Sequence, residues 1–220
     1  MSEFDQARIV MVDRQIRPSD VTDQRVINAF LDVPREEFLP SNQRALAYMD
    51  EDILLSSTED NRYLMEPMAM AKLIQLAKIS SDDIVLDIGC ATGYSAAILS
   101  SLCGSVVAVE CSEALAGLAG ETLTRLSYDN AVVVAGELST GYVKEAPYDV
   151  IFVGGAVDFV PDQLIDQLKQ GGRLVVVEGL GNTGVAKVYT KEAGSTSVLT
   201  AFNSAVRNLP GFEKDAVFEF

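Results

Sequence analysis

The sequence predicts a doubly wound α/β fold, mostly parallel, with an antiparallel hairpin near its C-terminal end and a helical extension at its N-terminal end. Three observations carry that prediction. From residue 84 onward, short β-branched runs alternate with helical stretches. The first five of these runs are apolar throughout, which marks strands buried on both faces of a parallel sheet with right-handed crossovers. The last two alternate apolar and polar residues, which marks half-exposed strands.

Taken in order, residues 3 to 33 carry apolar residues at helical spacing (Phe4, Ala7, Ile9, Val10, then Val26, Ile27, Phe30, Leu31). Pro18 breaks them, and Ser19, Asp20 and Thr22 offer a cap for a second helix. Pro34 and Pro40 bracket a short acidic turn, and residues 41 to 62 lack a sustained period, so a long surface connection is expected there. Pro67 then opens a helix that closes on Lys78. Strands are predicted at 84–88, 105–110, 131–135, 149–154 and 173–178, and helices between them at 93–102, 112–126 and 161–169. Lys169, Gln170, Gly171 and Gly172 are expected to form a helix cap and strand entry. Residues 184–191 and 196–202 make the hairpin, turning through Glu192, Ala193, Gly194 and Ser195.

Composition narrows the chemistry. The 220 residues hold 17 Lys and Arg against 32 Asp and Glu, a net charge of −15, with 48% hydrophobic residues and no histidine. That is ample for one large packed core over residues 1–220, and not a disordered chain. The charge disfavours nucleic acid and anionic membrane as partners. A histidine base, a histidine-containing triad and a histidine metal site are excluded, and no metal site is expected. No group with an ordinary pKa near 6.5 is present, so an activity profile free of protein ionisations in that range is expected. Cys90, Cys103 and Cys111 are an odd set without C-x-x-C spacing and read as reduced thiols. No secretory leader and no membrane span is read in the sequence, which makes a cytoplasmic protein the expectation.

The strongest local signal is VLDIGCATGYSAAIL, residues 85–99, where a buried strand runs through Gly89 and Gly93 into a helix. Glycines there admit close approach of a ligand to the backbone. The next strand ends in Glu110, placed to accept hydrogen bonds from both hydroxyls of a ribose. The loop G-C-A-T-G carries Ala91 where a dinucleotide fingerprint has its middle glycine, which points to an adenosine without phosphates, S-adenosylmethionine, and away from NAD. Cys90 and Cys111 read as small wall residues of that site. Met65, Met68 and Met70 read mainly as core, and Asp50, Glu51 and Asp52 as a solvated face.

Several stretches together resemble the protein-L-isoaspartate O-methyltransferase family: MVDRQIRPSDVTDQRVINAFLDVPREEFLP, ALAYMD, VLDIGCATGYSAAIL, APYDVIFVGGA and QLIDQLKQGGRLVVVEG, in that order. The resemblance implies a Rossmann-like, seven-stranded S-adenosylmethionine-dependent methyltransferase sheet. Residues 1–80 would then form the helical extension and acceptor-side segment, and 81–220 the cofactor-binding core. It implies S-adenosyl-L-methionine as cofactor, with S-adenosyl-L-homocysteine as product, held by Asp87, Gly89, Cys90, Ala91, Gly93, Tyr94, Glu110 and Cys111, with Gly136 and Glu137 flanking the adenine. A protein or peptide bearing isoaspartate would be the partner, and methyl transfer to its carboxylate the reaction.

The chain departs from the family ahead of the cofactor loop. There the family carries G-Q-T-[IV]-S-x-P, whose hydroxyl helps hold the isoaspartyl carboxylate, whereas this chain reads DNRYLMEPMAM. Met65 stands in place of the hydroxyl and cannot donate a hydrogen bond, Glu66 adds a negative charge, and Pro67 follows. GGA at 154–156 replaces a hydroxyl-bearing run. The alternatives are a methyltransferase with a different acceptor and a non-catalytic protein that binds S-adenosylmethionine or S-adenosylhomocysteine.

Overall fold

The computed structural model describes residues 2–56, 61–179 and 183–214. Its centre is a seven-stranded sheet made of β3 (Ile84–Ile88), β4 (Ser105–Glu110), β5 (Ala131–Ala135), β6 (Tyr148–Val157), β7 (Leu168–Glu178), β8 (Val185–Glu192) and β9 (Ser195–Asn203), in the order β5-β4-β3-β6-β7-β8-β9. The first five are parallel, and β8 and β9 are antiparallel to their neighbours. The chain steps outward from β3 to β5 and then returns to lay β6 on the free side of β3. The strand order therefore reverses between β3 and β6, where a crevice opens at the strands' carboxyl ends.

The apolar runs sort onto two faces. Val85, Val106, Val150, Phe152, Val175 and Val177 join one core. Leu86, Ile88, Val109, Ile151, Val153, Leu174 and Val176 join the other. This period-two partition explains why the central strands show no alternation in sequence: both faces are dry.

α1 (Glu3–Met11) and α2 (Gln24–Asp32) belong to the first core through Met11, Val26, Ile27 and Phe30, together with α3 (Pro67–Leu76) and α4 (Tyr94–Ser100). Ser2 and Asp5 make a reciprocal capping box on α1, and Asp23 caps α2. Past α1 the helix widens into a π turn (Val12–Ile16) and tightens into a 3-10 turn that contains Pro18. α5 (Glu113–Arg125) follows β4, capped by Ser112.

Two expectations are corrected. Within residues 41–62, of which 57–60 lie outside the described residues, β1 (Ile53–Ser56) pairs antiparallel with β2 (Arg62–Leu64), and Ala47 and Ile53 are buried. Strands of four and three residues are too short to show a period. The helix predicted at 161–169 contracts to α6 (Asp162–Asp166). Its end is fixed by Gln167, whose amide donates to the Thr140 and Gln163 carbonyls at 2.8 and 2.9 Å. Leu168 already pairs with Tyr148, so Lys169–Gly172 lies inside β7, beside a register shift.

Candidate functional site

The turn after β3 is tied back to β4: the backbone N–H groups of Gly89 and Cys90 both donate to the Val109 carbonyl, at 2.8 and 3.3 Å. Gly89 (φ 82°) and Gly93 (φ 92°) hold left-handed conformations that suit glycine. Their roles differ. A Cβ on Gly93 would lie 3.1 Å from Ala119 Cβ, so that glycine lets α5 pack closely. A Cβ on Gly89 would meet Leu209 Cδ2 at 2.8 Å and an Arg62 guanidinium nitrogen at 3.1 Å, so this one faces the crevice. Ala91 is also left-handed (φ 50°), pinned by its N–H on Glu110 Oε2 at 2.7 Å.

Glu110 is fully buried at the end of β4 and accepts from every side. Arg62 holds it with both arms of its fork, Nε to Oε1 at 2.9 Å and an Nη to Oε2 at 2.8 Å, and also donates to the Gly89 carbonyl at 3.0 Å. The Ser112 N–H and the Cys111 thiol complete the set on Oε1, at 3.1 and 3.3 Å. Burial alone would raise the Glu110 carboxyl; the Arg62 guanidinium and these donors reverse that and hold it below the usual range.

Asp87 is buried under α4, where Oδ2 accepts from the Ser95 hydroxyl at 2.6 Å and Oδ1 has no partner among the described residues. Burial first, with the nearby Glu110 charge, pushes it up to about 7 against the opposing effects of Ser95 and Arg62. Glu66 also rises to about 7, by burial and by the charges of Asp52 and Asp50. The expectation of an activity profile free of protein ionisations near pH 6.5 rests on ordinary pKa values, and burial displaces Asp87 and Glu66 from theirs, so these are the carboxyls that a limb in that range would implicate. The three cysteines are free, and Cys90 and Cys111 are raised by burial, Cys111 to about 11.

Met65, Arg62 and Gly154 line one crevice with Asp52, Tyr63, Arg207, Asn208 and Leu209. Met65 is buried, and its carbonyl accepts from Arg35 at 2.8 Å. Arg35 is itself fully buried, donates to the Ala47 carbonyl at 2.7 Å and lies over the Tyr94 ring. Glu66 caps α3 ahead of the buried Pro67, its N–H donating to Asp52 at 2.9 Å. The segment after β9 folds back across β6: the Ala156 N–H donates to the Arg207 carbonyl and the Leu209 N–H to the Ala156 carbonyl. This carries Leu209 and Phe212 into the second core. The crevice consequently holds only about 10 Å³ of free space. A wider hollow of about 760 Å³ lies against the edge strand β5, bordered by Gly117, Gly120 and Val133.

The structure thus brings Asp87, Gly89, Cys90, Ala91, Glu110 and Cys111 together, with Met65 on the facing side; Glu66 and Pro67 open α3 and are not among the residues lining the crevice. Tyr94 is placed elsewhere, its ring buried against Phe30 and Phe38. Gly136 donates its N–H to the Glu110 carbonyl at 3.0 Å, and Glu137 is exposed and accepts from Ser139. Arg62, Arg207 and Leu209 were not singled out from sequence; the available signal was two arginines in a strongly acidic chain, one of them inside the departing motif. Among the described residues, no three His, Cys, Asp or Glu side chains cluster to hold a metal ion, and no helix is long and apolar enough to cross a membrane.

These residue types suit an adenosyl ligand: a left-handed glycine facing the crevice, a carboxylate at the next strand's end, and an unpartnered buried oxygen on Asp87. The family model for protein-L-isoaspartate(D-aspartate) O-methyltransferase matches residues 7–213. The chain belongs to this family. A protein-L-isoaspartate O-methyltransferase of Koribacter versatilis is 37% identical over 87% of this chain and 84% of its own. One of Roseiflexus castenholzii is 37% identical over 80% and 79%. A solved protein-L-isoaspartate O-methyltransferase superposes with a TM-score of 0.82 at 30% identity, covering 93% of this chain and 66% of that one. A Plasmodium falciparum structure of the same description, in complex with S-adenosyl-L-homocysteine, gives a TM-score of 0.76 at 19% identity, a likeness of fold. Family membership does not favour the binding-only alternative.

Proposed function

We propose that the chain is an S-adenosylmethionine-dependent O-methyltransferase of the protein-L-isoaspartate family, built as one domain, acting on a carboxylate and divergent on its acceptor side. The observation that carries this reading is the Glu110 carboxylate beside the Gly89 turn, at the point where the strand order reverses, in a chain the family matches over residues 7–213. Asp87, Gly89, Cys90, Ala91, Gly93 and Cys111 would form the wall against the methionine part and the sugar. Glu110 would take the ribose hydroxyls, and Gly136 and Glu137 would border the base. When bound, S-adenosylmethionine supplies a methyl group from its sulfonium: the acceptor oxygen forms the new C–O bond as the S–C electron pair returns to sulfur.

The chain's own contribution is positioning. A carboxylate is already ionised at pH 7, so no base is needed and the absence of histidine costs nothing. Holding two reactants in attack geometry can supply roughly 7–11 kcal/mol of the barrier. Arg35, through the Met65 carbonyl, and Asp52, through the Glu66 N–H, fix the backbone that faces the cofactor turn.

The test is calorimetry with S-adenosylhomocysteine and with NAD, followed by transfer of radiolabelled methyl to an isoaspartyl peptide. Heat with the sulfur ligand alone, and base-labile label on the peptide, is the expected result. Binding of NAD instead, or label that survives mild base, overturns the reading.

A further inference from the structure

Glu110 cannot keep its present partners and also receive a ribose. A carboxylate offers about four lone-pair directions, and five donors already point at this one. Ala91 and Ser112 donate from backbone fixed by the two turns, and Cys111 is the adjacent residue. Arg62 is different: it reaches across from β2 on a long side chain. It is the donor that can leave.

A displaced guanidinium does not escape to water easily, because Arg62 is only 3% exposed. It stays charged and needs an anion. Two carboxylates stand near it: Asp87, buried under α4 with Oδ2 on Ser95, Oδ1 unpartnered and no part in lining the crevice, and Asp52, which lines the crevice but already accepts the Glu66 N–H and pairs with Arg207 at 3.5 Å. The direction left open is the crevice that Arg62 shares with Met65 and Gly154. Met65, which has nothing to donate, lines that crevice, and its present free space of about 10 Å³ has to widen, as the departure of Arg62 would allow, before a carboxylate enters.

We infer that Arg62 changes partner: the arriving cofactor displaces it from Glu110, and the freed guanidinium then holds the acceptor's carboxylate in place of a hydroxyl. This rests on the methyltransferase reading above. It makes Arg62 the specificity-determining residue for an anionic acceptor. A bidentate grip uses two of the carboxylate's lone-pair directions and leaves two for attack. It also makes binding ordered, since the acceptor's partner is released only once the cofactor is seated.

The experiment is calorimetry on the full chain with S-adenosylhomocysteine, an isoaspartyl peptide and the matching peptide whose side-chain carboxylate is an amide. The parent, Arg62→Met and Arg62→Lys are compared, each first checked for cooperative melting. For the parent, the expected result is peptide binding at least tenfold tighter with S-adenosylhomocysteine present, and no such coupling with the amide peptide. Arg62→Met should bind S-adenosylhomocysteine at least tenfold tighter than the parent, having lost the internal competitor, and its coupling to the peptide should fall below twofold. Arg62→Lys, which keeps the charge without the fork, should fall between and keeps the test open if the methionine variant does not fold. Unchanged S-adenosylhomocysteine affinity in both variants, or full coupling in Arg62→Met, overturns the inference. Absence of S-adenosylhomocysteine binding in parent and variants alike overturns the methyltransferase reading itself.

Discussion

The turn beneath the crevice and the rim above it are built from different kinds of sequence. The turn is contiguous: β3, Gly89, Gly93 and α4 follow one another, with Glu110 supplied by the neighbouring parallel strand. The rim is assembled from four places, Asp52 beside β1, Arg62 to Met65 around β2, Gly154 on β6, and Arg207 to Leu209 after β9. Met65 and Glu66, where the resemblance to the family breaks, belong to the rim segment and not to the turn. A backbone shape that only a few φ/ψ combinations satisfy tolerates little change. A rim of side chains can be exchanged while the fold persists, and acceptor choice can change with it.

The contrast is sharpest where the two regions touch. Glu110→Ala is expected to have the largest effect, because it leaves the buried Arg62 guanidinium without its anion. Breaking a buried pair from one side costs about 3–5 kcal/mol, to be read from urea unfolding. A loss under about 1 kcal/mol would mean that Arg62 finds another partner at once, and the boundary between turn and rim would dissolve.

Asp87 gives the next largest effect, through pH. Its folded value near 7 stands above the unfolded value of 3.8, so the folded state binds the extra proton between those limits. The Asp87 contribution to stability is therefore full below about pH 4 and is lost as pH rises through about 7, by an amount on the order of a few kcal/mol. Asp87→Asn should remove that component. Melting curves from pH 4.5 to 8 for both proteins check it, and identical slopes would show that Asp87 is ionised when folded.

Within the turn, Gly89→Ala must place a Cβ at φ 82° against Leu209. The left-handed conformation alone costs about 1–2 kcal/mol. Gly136→Ala, whose Cβ would meet Val109 at an ordinary 3.6 Å, should cost under about 0.5 kcal/mol. Thermal unfolding of the pair separates a glycine required by conformation from one that is merely tolerated.

The smallest expected effect lies in the rim. Met65→Ser with Glu66→Gln restores a donor and removes the neighbouring charge, and should raise turnover of an isoaspartyl peptide about tenfold, since a hydrogen bond to a charged group contributes roughly 1.5–3 kcal/mol. Methyl-transfer assays of parent and double variant side by side measure it. Robust turnover by the parent with no gain in the variant would show that the hydroxyl is dispensable here.

Much of this molecule is legible in its sequence. β3 and β4 begin and end where their apolar runs do, because a strand buried on both faces must be apolar throughout, whereas β7 starts five residues ahead of its run. The Gly89 turn and Glu110 are legible because a βα connection is specified by neighbours in the chain. Met65 marks the departure of the acceptor side for the same local reason. What tertiary structure alone decided is what fills the crevice. β1 and β2 are too short to announce themselves, and the α6–β7 junction is set by the side chain of Gln167 bonding across to Thr140. Arg62 meets Glu110 across 48 residues, and Leu209 reaches Gly89 from the far end of the chain. The shifted carboxyls of Asp87 and Glu66 belong to the same class, because a pKa depends on which charges and how much water surround a group, and only the folded chain determines those.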